Sequence, residues 1–300
     1  MVRSYTFELL HNHPFIDEVL CFHEHVRQWT PLRLYRFLKR LRSGYDLAIV
    51  LNTVSHSFTA DLLAHLSRAP FILGPENLKF TNCQRNFFYN LISPVTDAGK
   101  HQTELYLDIL KYIGVQPAGK NEEINLTDKE LNFARQFLMN QKIKGKWQNL
   151  RLFLHIGAGK PGNRWPVGNF IQVARYFRKR FNAIIVVSWG RKEGSLGSQF
   201  LANLDFAPIL AINLKLRELA AVIACCNLAI CNDTGIMHLA ASVQTPVIAI
   251  FGPTDPGRWK PLNENVFAIR GKFNQTKNVS VNEVIRQSRK LINTPEQILA

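Results

Sequence analysis

Short, wholly apolar runs alternate with longer amphipathic stretches throughout the second half of the chain. The apolar runs have the length of β-strands that are buried on both faces, and they read RLFLHIG, AIIVVSWG, LAICND and PVIAIFG. The stretches between and after them carry apolar residues at helical spacing, and they read VGNFIQVARYFRKRF, LRELAAVIACC, GIMHLAASV and SVNEVIRQSRKLI. This alternation predicts a doubly wound α/β domain built on a parallel sheet.

The first half shows the same kinds of element in a less regular order. Residues 45–52 and the FILG run of residues 71–74 are apolar enough to predict strands. Helical spacing predicts one helix at residues 59–69 and another at residues 103–114, which ends at a glycine. These elements predict another α/β domain, N-terminal to the one predicted for the second half of the chain.

A capping box marks one more helix start, at Thr127 and Glu130. This helix is expected to reach about Met139, and the polar segment Asn140–Asn149 that follows predicts a linker. We therefore expect two domains, residues 1–149 and residues 150–300. In tandem α/β domains of this kind a ligand is expected at the carboxyl ends of the strands.

Composition supports packed cores and indicates an anionic partner. Hydrophobic residues make up 46% of the 300 residues and charged residues 20%, which excludes an intrinsically disordered or collagen-like chain. The net charge is +15, and residues 151–300, with 19 basic and 8 acidic residues, hold most of it. A nucleic-acid-binding protein would also be basic, but no helix-turn-helix, zinc or RNA-recognition signature is present, so we expect no nucleic acid partner.

The cysteines and the apolar runs bear on the compartment. The 5 cysteines include no Cys-x-x-Cys pair, so neither a disulfide framework nor a zinc site is predicted, and a reducing cytosol is the expected setting. No apolar run of the sequence approaches the roughly 20 residues that span a bilayer, and the first residues lack the apolar core of a signal peptide.

Basic and apolar residues are interleaved in RLYRFLKRLR, the segment Arg33–Arg42. One interpretation is a basic amphipathic helix that meets anionic lipid headgroups. The other, which we favour, is a helix packed through its apolar residues with its basic face in water.

A glycine-rich loop follows the first strand of the second half, where Gly157, Gly159 and Gly162 match G-x-G-x-x-G. The dinucleotide fingerprint also needs a helix that opens within the loop and an acidic residue at the end of the next strand. Here the NRWP segment delays the helix and no acid ends that strand, so an NAD site is not expected. The loop can still offer backbone N–H groups to a phosphate, with Lys160 and Arg164 close behind it as binding residues or as ordinary solvated cations.

A stronger candidate is the strand–turn–helix of residues 228–241. Thr234 is a natural N-cap, Gly235 would let a ligand approach the backbone, and a helix N-terminus attracts anions. His238 lies about one turn into the same helix. A lone helical histidine is more often a packing or surface residue, but its grouping with Asp233 at one helix start favours a functional site.

Two further strand ends carry polar residues. Glu193 follows the strand AIIVVSWG, where a carboxylate can bind a ribose hydroxyl pair, although an ordinary loop acid is the alternative. The turn at Gly252–Pro256 follows PVIAIFG, where it is either a simple turn or part of a ligand site.

These motifs together resemble glycosyltransferase family 9, the ADP-heptose:lipopolysaccharide heptosyltransferases. The resemblance is carried by HIGAGKPGNRWPVGNF, SWGRKEG, CNDTGIMHLAASVQTPVIAIFGPTDPGRWKP and VSVNEVIRQ, and more weakly by HPFIDEVLCF, YDLAIVLN and HQTELYLDILKYIGV. It implies a GT-B fold, in which two Rossmann-like doubly wound domains face a cleft, the N-terminal one on the acceptor side and the C-terminal one binding the nucleotide sugar.

The resemblance also implies an activity and a setting. The enzyme would transfer a heptose from ADP-heptose to the lipopolysaccharide inner core, with inversion and without a metal or other cofactor. Its partners would be the nucleotide sugar and the core acceptor. It would be cytoplasmic, with peripheral contact at the inner face of the inner membrane as a further expectation.

By match to the family motif, Asp233 and His238 would meet the donor sugar or the phosphates and form the catalytic set. The backbone N–H groups of Thr234 and Gly235 would hold the diphosphate, and Glu193 the ribose. The full set expected to bind the donor or its nucleotide is Gly157, Gly159, Lys160, Arg164, Glu193, Thr234, Gly235 and Met237.

The chain departs from the family pattern at two places. Asn163 stands where the family usually carries a lysine, two residues before Trp-Pro. The opening strand, its Gly-Asp loop and the next helix, about 30 residues or one βαβ unit, have no counterpart, so we expect an incomplete first domain with unpaired strand edges and an exposed apolar face. The family's general base therefore cannot be assigned to any residue, and the alternative is a catalytically inactive sugar-nucleotide-binding remnant.

Overall fold

The predicted strands and helices are all found in the computed structural model, which describes residues 1–77, 80–94, 99–140 and 149–292. The β-strands are β1 (Val2–Arg3), β2 (Cys21–Phe22), β3 (Leu47–Ile49), β4 (Phe71–Pro75), β5 (Leu91–Ser93), β6 (Arg151–His155), β7 (Ile184–Ser188), β8 (Ile209–Leu210), β9 (Leu228–Asn232), β10 (Val247–Phe251) and β11 (Val266–Arg270). The α-helices are α1 (Pro31–Leu41), α2 (Phe58–Leu66), α3 (Gln102–Lys111), α4 (Asp128–Met139), α5 (Val167–Phe181), α6 (Gly194–Ala202), α7 (Leu216–Ala224), α8 (Gly235–Ser242), α9 (Pro256–Trp259) and α10 (Val281–Ile292).

The contacts between residues divide the chain into two units, Met1–Lys120 and Asn121–Ala300. The predicted domains, 1–149 and 150–300, divide it later and place α4 in the first half. In the structure α4 packs along α7 and so belongs to the second unit. Most of the predicted linker, residues 141–148, lies outside the described residues.

All strands of the second unit run parallel in one sheet, in the order β11-β10-β9-β6-β7-β8. From β6 the chain builds outward through β7 and β8, then returns to the other side of β6 and builds outward again through β9, β10 and β11. The order therefore reverses between β6 and β9. Because the strands are parallel, their carboxyl ends lie at one edge of the sheet, where the loops after β6 and β9 diverge and leave room for a ligand.

Both faces of this sheet are covered, which explains why its strands are wholly apolar. Alternate residues such as Leu152 and Leu154 of β6 pack with Phe170 and Phe177 of α5, with further side chains from α6 and α10. The residues between them point to the other face, where α7 and α8 also bury their apolar side chains. The predicted doubly wound domain is confirmed by this arrangement.

The first unit is built around a smaller parallel sheet, in the order β3-β4-β5, and a separate pair formed by β1 and β2. Leu73 of β4 is fully buried against Leu105 and Ile109 of α3. Among the described residues no strand pairs with the outer edge of β3. Ile49 and Leu51 are exposed there, beside a groove of about 480 Å³ lined mainly by apolar residues of α1, α2 and β3. The free edge and the apolar surface expected from the sequence are therefore present.

Helix α1 is the basic segment for which two interpretations were open. Its Phe37 and Leu41 are buried against Leu63 of α2, so the helix packs as the favoured interpretation predicts. Leu32 and Tyr35 remain exposed beside the basic residues. Among the described residues, none of the helices combines the length and the apolarity that a bilayer crossing requires.

The start of α4 is fixed by the predicted capping box and by an ion pair that the sequence did not indicate. The Thr127 hydroxyl accepts from the Glu130 N–H at 3.3 Å, and Glu130 Oε2 accepts from the Thr127 N–H at 2.8 Å. Arg217 of α7, which is buried, binds both oxygens of Glu130, with Nη2 2.9 Å from Oε2. Hydrogen bonding to Arg217 is the main reason that the pKa of Glu130 is lowered to about 2.

We expect Arg217→Ala to lower the free energy of unfolding by about 2–4 kcal/mol, because it leaves the partly buried Glu130 carboxylate without its cation. Since the folded pKa of Glu130 lies below its ordinary value, the contribution of this pair is present above about pH 4.5 and is lost as the pH falls toward 2. Urea unfolding at pH 7 and pH 3 measures both effects. Arg175→Ala, which removes an exposed pair to Asp205 at 3.9 Å and an exposed hydrogen bond to the Asn203 carbonyl at 2.7 Å, is the control and should cost at most about 1 kcal/mol. Equal losses in the two variants would contradict the prediction.

Candidate functional site

The loop after β6 and the turn after β9 meet at the reversal of strand order. The first contains the glycine-rich segment Gly157–Gly162, and the second contains Asp233 and Thr234 before α8. In doubly wound sheets this crevice at the carboxyl ends is where ligands bind. The two strongest motifs of the sequence are thus brought to one place.

The side chain of Asn232, at the end of β9, joins the two segments. Its Nδ2 donates to the carbonyl oxygens of Ile156 at 3.3 Å and Gly157 at 2.9 Å, and its Oδ1 accepts from the Trp165 N–H at 2.9 Å. The side chain is fully buried, so all of these bonds form away from water. A buried amide with its donors and acceptor all used fixes the backbone around it.

The far end of the loop is anchored by Trp165. Its ring is buried and packs edge-on against Phe170, with ring centres 5.0 Å apart, and its Nε1 donates to the Val279 carbonyl at 3.0 Å. Trp165 precedes α5, which begins only at Val167. Because the helix does not open within the glycine-rich loop, the dinucleotide fingerprint is absent, as the sequence analysis expected.

Glu193 holds the near end of the loop. Its Oε1 accepts from the Ala158 N–H at 2.8 Å, and its Oε2 accepts from the Gly190 N–H at 2.7 Å. A Cβ on Gly157 would lie 1.8 Å from Oε2, so only glycine allows this close approach. The carboxylate is buried and engaged by the protein, and its predicted contact with a ribose stays a prediction.

The two predicted cations differ in how they are held. Arg164 Nε donates to the Ala158 carbonyl at 2.8 Å and Nη2 lies 3.2 Å from Glu193 Oε1, while about a third of the side chain, 32%, stays exposed. Lys160 and Gly159 are exposed on the outside of the loop. Arg164 therefore braces the loop and still offers guanidinium N–H groups at its surface.

The carboxylate of Asp233 is bound by neutral groups. Asn163 Nδ2 donates to its Oδ2 at 3.1 Å, and the hydroxyl of Thr254, in the turn after β10, donates to the same oxygen at 2.5 Å. Asn163 stands where the family usually carries a lysine, so a neutral amide lies next to the Asp233 carboxylate. The structure thus brings Asp233 to the loop and adds Thr254 to the site.

Helix α8 begins at the surface of the site with an open N-terminus. Thr234 caps it, since its hydroxyl accepts from the Ile236 N–H at 3.3 Å. Gly235 is exposed, and a Cβ added to it would meet nothing within 4 Å. A ligand atom can therefore approach the backbone N–H groups at the end of the helix that carries partial positive charge.

Of the remaining predicted residues, His238 reaches the surface of the site and Met237 does not. The His238 ring is partly exposed, and its Nδ1 lies 2.7 Å from Oε1 of Glu122. Met237 is fully buried, which disfavours the predicted contact of its side chain with a nucleotide. Glu122 was not predicted, because 116 residues separate it from His238 and no pattern links the two positions.

The family model for glycosyltransferase family 9 (heptosyltransferase) matches residues 34–287. The chain belongs to glycosyltransferase family 9. Lipooligosaccharide heptosyltransferase 2 of Haemophilus influenzae is 26% identical over 257 residues, which cover 79% of this chain and 68% of that protein. The resemblance seen in the motifs is confirmed, and the protein is a glycosyltransferase by family.

Solved structures show the same fold. A family 9 glycosyltransferase of Veillonella parvula matches with a TM-score of 0.84 at 21% identity, covering 97% of this chain and 86% of that one. The ADP-heptose LPS heptosyltransferase II of Escherichia coli matches with a TM-score of 0.75 at 18% identity, covering 97% and 87%. The predicted GT-B fold class is confirmed by these similarities.

A buried titratable side chain, that of His155, lies just before the glycine-rich loop. His155 ends β6, and its Nδ1 lies 2.8 Å from the Ser188 hydroxyl. Burial lowers the pKa of His155 to about 4, although the nearby negative charge of Glu193 acts in the opposite direction. Within the described residues, no group of three or more His, Cys, Asp and Glu side chains is placed to hold a metal ion.

We expect the neutral His155 ring to make stability pH-dependent. The unfolded chain binds a proton at about pH 6.5 and the folded protein only near pH 4, so stability is fully present above pH 6.5 and falls as the pH drops toward 4. His155→Gln removes this component, so its free energy of unfolding relative to the wild type should rise by about 2 kcal/mol between pH 7 and pH 5. Urea unfolding at the two pH values measures it. A wild-type–variant difference that is the same at both would contradict the assignment.

Proposed function

We propose that this family 9 glycosyltransferase transfers a heptose from ADP-heptose to the inner core of lipopolysaccharide. The observation that carries the proposal is the open N-terminus of α8 at Gly235, placed beside the glycine-rich loop where the strand order reverses. The named activities of the relatives from Haemophilus influenzae and Escherichia coli support the choice of sugar and acceptor. The domain that holds the nucleotide sugar is the second unit, whose basic surplus suits a diphosphate.

The site has groups suited to the leaving group of a metal-independent, inverting displacement, while the general base is assigned to no residue. The oxygen of an acceptor hydroxyl attacks the anomeric carbon and gives its proton to a general base, the bond from that carbon to the diphosphate oxygen breaks, and the nucleoside diphosphate leaves with the electron pair. Negative charge then grows on the diphosphate. The N–H groups at the start of α8 and the braced guanidinium of Arg164 are preorganised to stabilise it, and Lys160 adds a positive charge at the loop.

The other predicted residues would contact the sugar, the ribose or the rest of the nucleotide. Asp233 and His238 flank the start of α8 and would meet the donor sugar. Glu193 is already bound by the loop, so its contact with a ribose would use the remaining acceptor capacity of its oxygens. The loop backbone at Gly157 and Gly159 would lie against the nucleotide.

We expect Gly235→Ala to weaken ADP binding by about tenfold or more, because the new methyl group fills the space that the diphosphate needs at the helix end. The melting temperature should not fall, since the Cβ meets no protein atom and alanine favours a helix over glycine. Titration calorimetry with ADP measures the affinity.

Gly168→Ala is the matched control. Gly168 also lies exposed in the first turn of a helix, α5, and a Cβ there would likewise meet nothing within 4 Å. This variant should bind ADP as the wild type does. Equal affinity in all three proteins, or no saturable ADP binding by the wild type, would overturn the proposed site. ADP binding without turnover of ADP-heptose on a deacylated core acceptor would indicate the inactive, binding-only alternative.

We further propose that α1 meets an anionic membrane surface during this reaction. Arg36 and Lys39 are exposed one turn apart, beside the exposed apolar side chains of Leu32 and Tyr35. Basic residues next to exposed apolar ones are typical of peripheral helices, and the lipid-linked acceptor of the proposed reaction would be found at such a surface.

Charge reversal at Arg36 and Lys39 should abolish binding to phosphatidylglycerol vesicles, because each exposed basic residue contributes about 1 kcal/mol to attraction by an anionic surface. Vesicle co-sedimentation at low and high salt measures this, with phosphatidylcholine vesicles as the uncharged comparison. Reversal of Arg286 and Arg289, an exposed pair at the same spacing on α10, is the control and should leave binding unchanged. Equal binding by both charge-reversed proteins would contradict the proposal.

A further inference from the structure

A carboxylate from outside the sequence motifs is bound to His238, the histidine of the proposed donor site. Both oxygens of Glu122 face the same ring nitrogen, with His238 Nδ1 2.7 Å from Oε1 and 3.0 Å from Oε2. An ionised carboxylate can only accept hydrogen bonds, so the proton of this contact belongs to Nδ1. In the neutral ring the other nitrogen, Nε2, is then the hydrogen-bond acceptor.

The backbone of Glu122 is held in place independently of its side chain. The Glu122 N–H donates to Asn263 Oδ1 at 3.0 Å, and Asn263 Nδ2 donates to the Glu122 carbonyl at 3.1 Å. The same Nδ2 lies 3.3 Å from the Ala241 carbonyl in α8, and the Ile124 N–H donates to the Ser242 carbonyl at 2.9 Å. The segment that carries Glu122 is thus tied to the helix that carries His238, and the acid and the ring are positioned by the same element.

The ring lies on the face of α8 that also exposes Gly235. Residues three apart on a helix share a face, and His238 follows Gly235 by three, while Met237 and Leu239 between and after them are buried. The rise of a helix places His238 about 4.5 Å farther from the helix end than Gly235. A group bound at the His238 ring is therefore a different part of the ligand from the diphosphate at Gly235. The negative charge of Glu122, on the other side of the ring, disfavours a phosphate oxygen at this position.

We propose that Glu122 is a positioning residue for the donor sugar. It holds the proton of His238 on Nδ1 and fixes the ring, so that Nε2 accepts a hydrogen bond from a hydroxyl group of the sugar. This inference rests on the proposed function, because the sugar is the one carried by the nucleotide bound at α8. It assigns to Glu122 an effect on the sugar and none on the nucleotide.

The tautomer is read directly by NMR of protein labelled with nitrogen-15 in histidine, with the His238 signals assigned from the His238→Gln variant. We expect the Nδ1–H form in the wild type and in Glu122→Gln, whose amide oxygen still accepts from Nδ1. In Glu122→Ala the proton is expected to move largely to Nε2. An Nε2–H ring in the wild type, or an unchanged tautomer in Glu122→Ala, would overturn the proposal.

Calorimetric titrations with ADP and with ADP-heptose test the effect on the ligand. Glu122→Ala should weaken ADP-heptose binding by about tenfold, the value of one lost hydrogen bond, and change ADP binding by less than about twofold. Glu122→Gln should restore most of the ADP-heptose affinity. Glu123→Ala removes the same charge from the exposed neighbouring position and should match the wild type with both ligands.

The double variant separates positioning from simple loss of structure. If Glu122 acts through His238, then Glu122→Ala added to His238→Gln should cause no further loss of ADP-heptose affinity. Additive losses, or equal losses for ADP and ADP-heptose, would overturn the inference and leave the nucleotide site intact. A wild type that binds neither ligand would instead reject the proposed function itself, while the tautomer could still be read.

Discussion

The buried amide of Asn232 is the interaction on which the candidate site depends. It is the point where β9, the turn before α8 and both ends of the glycine-rich loop are tied together. A parallel sheet delivers its loops to one edge but does not fix their shapes, since loop backbones must find partners outside the strand ladder. One side chain at a strand end supplies those partners here. Glu193 and Trp165 add further bonds to a loop that Asn232 already ties to β9 at both ends.

Much of the fold could be predicted from the sequence, because strands that are buried on both faces, such as β6, β9 and β10, are recognisable as apolar runs. The elements that were missed have weaker signals. β8 has two residues, and β11 has five, of which only Val266 and Ile269 are buried. The start of α4 was found from its capping box, but its partner was not, because the bond from Arg217 to Glu130 joins residues 87 positions apart.

The residues of the candidate site likewise fall into those with a local sequence signal and those without one. Thr234 and Gly235 could be found because a helix start after an apolar strand has a local signature. The contacts of Asp233 with Asn163 and of His238 with Glu122 could not, since they depend on how distant segments meet. A polar residue in a surface segment has no periodicity that would distinguish it. The role of Glu193 in holding the loop was hidden for a related reason, since a carboxylate bound to backbone N–H groups leaves no pattern in the residues that it binds.

Three carboxylates surround a site that is proposed to bind an anion, and each is engaged by the protein. Glu193 accepts from backbone N–H groups and pairs with Arg164. Asp233 is bound by two neutral donors, and Glu122 faces an imidazole. Acids held in this way can shape a pocket while exposing little charge to a diphosphate. The acids order the site, and the charge that draws an anion comes from the helix end and the basic surface around it.

The hydrogen bonds that hold the ends of the glycine-rich loop are made with other groups of the protein. Glu193, Asn232 and Trp165 together hold it from Gly157 to the start of α5. The conformational entropy of this segment is therefore lost once, during folding, and not again at each encounter with a nucleotide sugar. For the proposed function this means that the loop backbone need not be ordered anew for each nucleotide sugar that binds.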